Sequence, residues 1–438
     1  MRQLFHVSWR VALLCLPWQT QWILQTGSIG GFPWEQGTLR IYASWMPLAV
    51  AAGTGLLLSG KRSSAQQWHS RERLMRILAT LFLTGAIVGT SSWTATGMWA
   101  LEAFLLAAFV FALFRQHVSS QTIGFWFVLA LLPHTALGIW QFFVQDIGGA
   151  SVLGIAEHRP WASGTSVVEH GLYRVLRAYG GFPHPNIFGG WLAAGLALLP
   201  FLVRQAAAKY GVLFYVFSGA AFTAALLITF SRGAWVAAVF GFFFAFAVSL
   251  KHASFRADKQ SLWLLFAVVA ALTAWGAVTQ WDHIYARIAA TERLEQWSLV
   301  SRKTSLIEGW EAWKLRPVTG FGPGAGIVGI QDIRNRLSRP SPAAPEPPHI
   351  VPLSMLVDMG ILGFVAFILA TFIFWNRRKT RFSWHVSGPV LAVFLLLAFT
   401  DHYLWTLWPG MALGAVILLL CAADIPPKAP GPLHGKGA

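Results

Sequence analysis

Charge is scarce in this chain. Only 11% of its 438 residues are Asp, Glu, Lys or Arg, against 55% hydrophobic residues. A soluble fold of that size has too little polar surface to cover so much apolar side chain. Stretches near the ~18–20 residues needed to cross a bilayer recur along the chain. Composition therefore selects an all-α, polytopic helical membrane protein. Cysteine is nearly absent: Cys15 and Cys421 lie in apolar runs near opposite ends, which argues against a disulfide framework or a thiolate metal pair. Acidic residues, 17 in all, are about half as frequent as the 33 basic ones. No nucleic-acid module accompanies that positive charge, and membrane-anchoring residues explain part of it. The segments expected outside the membrane hold no Asp-x-Asp pair for Mg²⁺ or Mn²⁺. A metal and a cofactor are both left out of the expected chemistry.

What the chain does have is apolar runs and tryptophan. The 23 tryptophans suit many interfacial belts. Arg2 and Arg10 precede Val11–Leu24 with no small-x-small cleavage site after it, so this first span is expected to be retained. Hydropathy predicts about twelve spans, at 7–25, 39–59, 77–95, 98–114, 122–145, 186–203, 210–230, 233–250, 262–279, 350–375, 386–400 and 402–422. Basic groups around Lys61-Arg62, Arg115, Arg204/Lys209, Lys251 and Arg377-Arg378-Lys379 fall on one side, which the positive-inside rule makes cytoplasmic. Residues 1–423 then form one membrane domain. The Pro/Gly-rich tail at 424–438 reads as disordered and cytoplasmic.

Two long segments, 146–185 and 280–349, are left on the other, extracytoplasmic side, the larger one expected to contain surface helices. Arginine dominates the basic residues there, and its planar fork grips phosphate or carboxylate in a way lysine does not. Surface pairing with Glu292, Glu295, Glu308 and Glu311 accounts for some of these arginines. It does not account for Arg232, which sits almost without a loop between the apolar runs Tyr210–Phe230 and Gly233–Leu250. A snorkelling anchor is the plainer reading of that residue.

Four segments carry candidate chemistry. In the first, 177–186, Pro183 and Pro185 force turn backbone and Asn186 is expected to cap the next helix, with Arg177 and His184 left over as candidate contacts. The second, Thr229–Trp235, centres on Arg232. In the third, Ser301–Trp313 predicts a helix opened by Arg302 and ended by Pro317, with Leu306, Trp310 and Trp313 on one face. The stretch Gly320–Gly326 follows. Its Gly322 and Gly324 offer free amides for an anion nest, although no Gly-Lys-Ser/Thr makes it a P-loop. The fourth is the proline-rich arm Pro345-Glu346-Pro347-Pro348-His349, whose imidazole is placed to take a proton from an acceptor hydroxyl.

In their order, these pieces resemble the O-antigen ligase and polymerase superfamily of bacterial membrane glycosyltransferases. The resemblance rests on Arg-Ala-Tyr-Gly-Gly-Phe-Pro-His-Pro-Asn-Ile-Phe-Gly-Gly at 177–190, Phe-Ser-Arg-Gly-Ala-Trp at 230–235 and Arg302. It continues through Pro-Val-Thr-Gly-Phe-Gly-Pro-Gly at 317–324, His349, and Asp-Met-Gly-Ile-Leu-Gly at 358–363, covering about 170–375. The family's usual His-Asn reads His349-Ile350 here. The resemblance implies a metal-independent, inverting transfer of a glycan from an undecaprenyl-diphosphate-linked donor. The acceptor would be a glycan, lipid A–core or protein, and the reaction would take place at the outer face of the bacterial inner membrane. It implies Arg232 and Arg302 as the diphosphate clamp and His349 as the acceptor base. Arg177, His184, Gly322 and Gly324 are then further substrate contacts, and membrane lipids are the remaining partners. The alternative from another class is an anion or small-solute transporter of the same superfamily, whose ionisable groups are expected nearer mid-membrane.

Overall fold

The structure is a computed structural model that describes residues 1–59, 80, 82, 84–206, 208–251, 259–336, 344–376 and 384–422. The expected tail at 424–438 and the basic clusters around Lys61 and Arg377 lie outside the described residues. Helix α1 (Arg2–Cys15) is followed by strands β1 (Gln21–Gln25), β2 (Ser28–Ile29), β3 (Phe32–Pro33) and β4 (Leu39–Tyr42), then α2 (Trp45–Leu58). Next come α3 (Trp93–Arg115), α4 (Ser120–Val144), β5 (Val167–His170) and β6 (Tyr173–Leu176). Helices α5 (Pro185–Gln205), α6 (Lys209–Ile228), α7 (Arg232–Lys251) and α8 (Lys259–Thr279) follow. The 280–349 segment holds α9 (Trp281–Ala289), α10 (Arg293–Leu315) and α11 (Gly326–Arg336), and the chain continues with α12 (Val351–Asn376), α13 (Trp384–Ala398), α14 (Tyr403–Thr406) and α15 (Trp408–Ala422).

Among the described residues seven helices, α3 to α8 and α12, are long and apolar enough to cross a membrane, and α2, α13 and α15 are shorter apolar helices. The expected count of about twelve is not reached by that measure. The stretch 7–25 is not one helix: α1 ends at Cys15, Pro17 follows the Leu16 cap, and the chain leaves as β1, which pairs antiparallel with β4. Proline just past a helix end cannot continue it. The break expected at Thr96-Gly97 falls instead at 90–92, where Ser92 Oγ accepts from Ala95 N at 3.3 Å and caps α3.

Helix α5 is the centre of the bundle, with almost every residue buried, and it packs against α4, α6, α7 and α13. Two small residues let it do so. A Cβ at Gly189 would lie 2.8 Å from Ala234 Cβ, and one at Gly190 would run into the Tyr403 hydroxyl. These close approaches draw the start of α5, the start of α7 and the α13–α14 turn to one end of the bundle. A second, smaller core caps that end, where Ala312, Phe321, Ile327, Ile330, Ile333, Leu353 and Val357 pack together. Leu306 and Trp313 join it as their spacing predicts, while Trp310 stays largely exposed against Trp313. Arg302 lies inside α10 rather than opening it, because the helix begins nine residues earlier, at Arg293.

Candidate functional site

The turn between α6 and α7 is too tight for ordinary backbone. Phe230 adopts a left-handed φ of 49° with its ring fully buried, a conformation that costs a non-glycine residue energy and persists only where surroundings enforce it. Arg287 of α9 supplies one constraint by donating Nε–H to the Phe230 carbonyl at 3.0 Å. Its guanidinium also pairs with buried Glu295. Arg232, the first residue of α7, donates from Nη1 to the Arg287 carbonyl at 2.8 Å. Its Nη2 is buried without a hydrogen-bond partner, with Glu295 Oε2 3.6 Å away. Arg232 therefore does have an acidic neighbour, brought in from α10.

Arg232, Arg287 and Arg302 line one cavity, together with Asn186, Ser231, Gly233, Ala234, Thr400, Asp401 and Tyr403. Arg302 is half-buried, and among the described residues no hydrogen bond or ion pair engages its guanidinium. The first turn of α7 adds N–H groups without helical partners and the positive end of the helix dipole. Asp401 on the wall and Glu295, paired behind Arg232 and Arg287, offset two of the three guanidiniums, so the cavity keeps a net positive charge.

The 177–190 segment backs the cavity rather than filling it. Arg177 is buried and donates from Nε to the Thr229 carbonyl at 2.7 Å and from Nη2 to Asn186 Oδ1 at 2.7 Å. Asn186 passes the contact on, donating from Nδ2 to Asp401 Oδ2 at 2.9 Å. The helix cap expected of Asn186 belongs to His184, whose Nδ1 accepts from Asn186 N at 3.1 Å while its Nε2 lies 2.9 Å from Ser166 Oγ. With Nδ1 accepting, Nε2 carries the proton and donates. Burial, then the positive charge of Arg177, push the His184 imidazole down to about 3.

His349 stands between two carboxylates. Its Nδ1 faces Asp401 Oδ1 at 3.4 Å and its Nε2 faces Glu346 Oε2 at 3.4 Å. Burial disfavours its charge, but Asp401 and Glu346 outweigh that, and its pKa rises to about 9. Asp401 is buried, which opposes ionisation, yet His349, His402 and Asn186 hold it well below the usual carboxylate range. The two carboxylates thus favour the charged form of the ring over the neutral imidazole expected from sequence. The donor atoms of His349, Asp401 and His402 lie within 4.8 Å of one another, close enough for a metal ion. The same atoms also face one another, Asp401 Oδ1 lying 3.4 Å from His349 Nδ1 and 3.9 Å from His402 Nε2. Ile350, where the family usually has Asn, packs onto the small apolar core.

The glycine-rich loop does form a nest, and its anion is the protein's own. Gly324 N and Gly326 N donate to Asp358 Oδ2 and Oδ1 at 3.0 and 2.8 Å, and Trp405 Nε1 donates to Oδ2 at 2.7 Å. Gly322 N is taken by the Asp358 carbonyl at 2.7 Å. The amides of Gly322 and Gly324 are therefore not free, contrary to their reading from sequence. Helix α12 breaks at Gly360 (φ 59°, ψ −172°), where any Cβ would collide with Val318, so loop and helix meet backbone to backbone.

Residues 217–368 match the family model described as O-antigen ligase. Over this stretch the chain is similar to that family. No curated protein matches the chain. The matched stretch contains Arg232, Arg287, Arg302, Glu346, His349 and Asp358, while Arg177, His184, Asn186 and Asp401 come from outside it. The match supports a glycosyltransferase-type enzyme acting with a lipid-linked glycan and an acceptor, and the seven apolar helices agree with a multi-pass membrane protein. Sequence reasoning singled out neither Asp401, Arg287 nor Glu346 as part of the site. Asp401 carried a readable signal: like Arg232, it is a lone charge between two apolar runs. Arg287 and Glu346 had none, because each sits among other charged or proline-rich residues in a long segment.

Proposed function

We propose that this protein transfers a glycan from an undecaprenyl-diphosphate-linked donor to an acceptor hydroxyl, as an O-antigen ligase or polysaccharide polymerase does. The reaction is placed at the extracytoplasmic face of the bacterial inner membrane, with inversion and without a metal. The observation that carries the reading is the pair of guanidiniums, Arg302 and Arg232 Nη2, that face one cavity with no hydrogen-bond partner among the described residues. In this reaction the acceptor oxygen forms a bond to the anomeric carbon from the side opposite the leaving group. The bond from that carbon to the phosphate oxygen breaks, and its electron pair stays on the diphosphate. Fixed arginines neutralise the growing negative charge, and fixed donors of this kind are worth about 3–4 kcal/mol each to a transition state. The acceptor loses its proton to the centre formed by Asp401, His349 and Glu346. The side groups Arg177 and His184 hold the backbone behind Asn186 and so serve substrate binding indirectly, and Gly322 and Gly324 set the rim of the small core beside it.

The test is transfer from undecaprenyl-diphosphate-linked glycan in membranes with matched protein levels and a chelator present. Wild type is expected to transfer, and Arg302→Lys to lose about a hundredfold because lysine keeps the charge but not the fork. Loss of wild-type activity in chelator rules out the metal-free route. Full activity of Arg302→Lys rules out the clamp.

A further inference from the structure

The proton has to leave the acceptor for some group with an accessible lone pair, and neither nitrogen of His349 is turned to open space, Nδ1 being buried. Each of its nitrogens faces a carboxylate, Asp401 Oδ1 on one side and Glu346 Oε2 on the other. Glu346 is arranged differently. Its Oε2 is held from two directions, by His349 and by Ser301 Oγ at 3.0 Å. No hydrogen bond among the described residues engages its Oε1, and the side chain is 46% exposed. Ser301 precedes Arg302 on α10, so the same contact ties the carboxylate to the helix that carries one arginine of the anion cavity. Pro345, Pro347 and Pro348 stiffen the arm on which Glu346 sits, which limits how far the carboxylate can swing.

We propose that Glu346, through Oε1, is the general base of the transfer, and that His349 is the charged group that holds it. This rests on the glycosyl-transfer reading above. The acceptor O–H proton moves to Glu346 Oε1, the acceptor oxygen bonds to the anomeric carbon, and the diphosphate departs with the electron pair of the broken bond. Asp401 orients His349 from behind and offsets its charge, and His349 fixes Oε2 so that Oε1 points outward. The charged and titratable groups around the pair come from three elements. They are Asp401 and His402 on the α13–α14 turn, Arg302 on α10, and Glu346 and His349 themselves on the arm. The His349 hydrogen bond, the largest influence, brings Glu346 below its ordinary carboxylate value, and His349 itself stands at about 9.

Two proton assignments give opposite pH behaviour. With Glu346 as base and His349 required in its charged form, the transfer rate is flat through neutrality and falls as pH rises through about 9. With His349 as base, the rate rises with pH until about 9 and then levels. Glu346→Gln, assayed beside Glu346→Asp, is expected to lower turnover by about 10²–10⁴-fold, the usual contribution of a positioned base. The shorter carboxylate of Glu346→Asp keeps part of the activity. Donor affinity, measured with the undecaprenyl-diphosphate glycan, serves as the check on folding, because Glu346 does not line the arginine cavity. Near-normal turnover of Glu346→Gln with intact donor binding overturns the inference, as does a rate that climbs to pH 9. Absence of transfer by the wild type would instead overturn the glycosyl-transfer reading itself.

Discussion

Two regions of the stretch 217–368 both read from sequence as anion-binding candidates and are built in opposite ways. Around Gly320–Gly326 the backbone amides form a nest, and Asp358 and Trp405 close it, so each backbone N–H there has a partner. At the start of α7, Arg232 keeps one guanidinium nitrogen without a hydrogen bond, and Arg302 faces the same cavity. Buried polar atoms without partners cost about 1–3 kcal/mol each, so one that faces a cavity is a place where something outside the chain can complete it. A motif is thus sorted by what its polar groups lack in the folded protein. The glycine loop is complete and reads as architecture, whereas the arginine cavity is incomplete and reads as a binding site.

The largest effect expected from this contrast is on the open side. Arg232→Lys should lower transfer about a hundredfold, roughly 2–4 kcal/mol of transition-state stabilisation. If Arg232 and Arg302 grip the same diphosphate, Arg232→Lys combined with Arg302→Lys should cost clearly less than the product of the single losses, since coupled contacts are not additive. Initial transfer rates at saturating acceptor measure this. Strict multiplication of the two losses would mean that the arginines act on separate groups, and the cavity would no longer be a single clamp.

The next effect belongs to the closed side and should appear in stability. Asp358→Asn keeps the side chain's shape but turns an amide N–H₂ toward groups that are themselves donors. Two of the three donors to the carboxylate, the Gly324 and Gly326 amides, sit on opposite oxygens, so one of them loses its acceptor whichever way the amide turns. The cost should be about 1–3 kcal/mol, read as a lower unfolding temperature in detergent, while turnover per folded molecule changes little. An unchanged melting temperature together with a large loss of turnover would move Asp358 into the chemistry and erase the contrast.

The contrast also marks how much the sequence could show. Arg232 was legible because a lone charge between two membrane-length runs is costly to keep at that place unless it has a task. Arg302 was singled out instead through the family resemblance, and the segments holding Arg232, Arg302 and His349 do come together near one end of the bundle. Asp401 obeyed the same rule, yet it read as a divider between two spans. The closure of the glycine loop depends on a backbone break at Gly360 that brings residues 357–362 against 317–322, a long-range pairing that no local pattern announces. The β1–β4 pairing was missed for a similar reason. Apolar residues on either side of Pro17 look like one span, and only the helix ending at Cys15 separates them. The state of His349 could not be read at all, because both of its carboxylate neighbours had to be placed first.

The smallest effect concerns the cap behind the cavity. His184→Asn preserves an N-cap acceptor for the Asn186 amide and gives up the contact with Ser166, so the expected loss at neutral pH is under about 1 kcal/mol. Its value lies in pH dependence. Folding holds His184 at about 3, below the ordinary histidine value of about 6.5, so the unfolded chain binds a proton that the folded one refuses between those limits. The contribution of His184 to stability is therefore fully present above about pH 6.5 and is lost progressively as pH falls toward 3. Asparagine does not titrate, so the variant should lose less stability than wild type on acidification, and the two unfolding curves should converge or cross on the acid side. Parallel curves between pH 7 and 4 would show that His184 is not held neutral in the folded protein. Arg177, buried nearby and donating to the Thr229 carbonyl and to Asn186, would then have to coexist with a charged imidazole that burial disfavours.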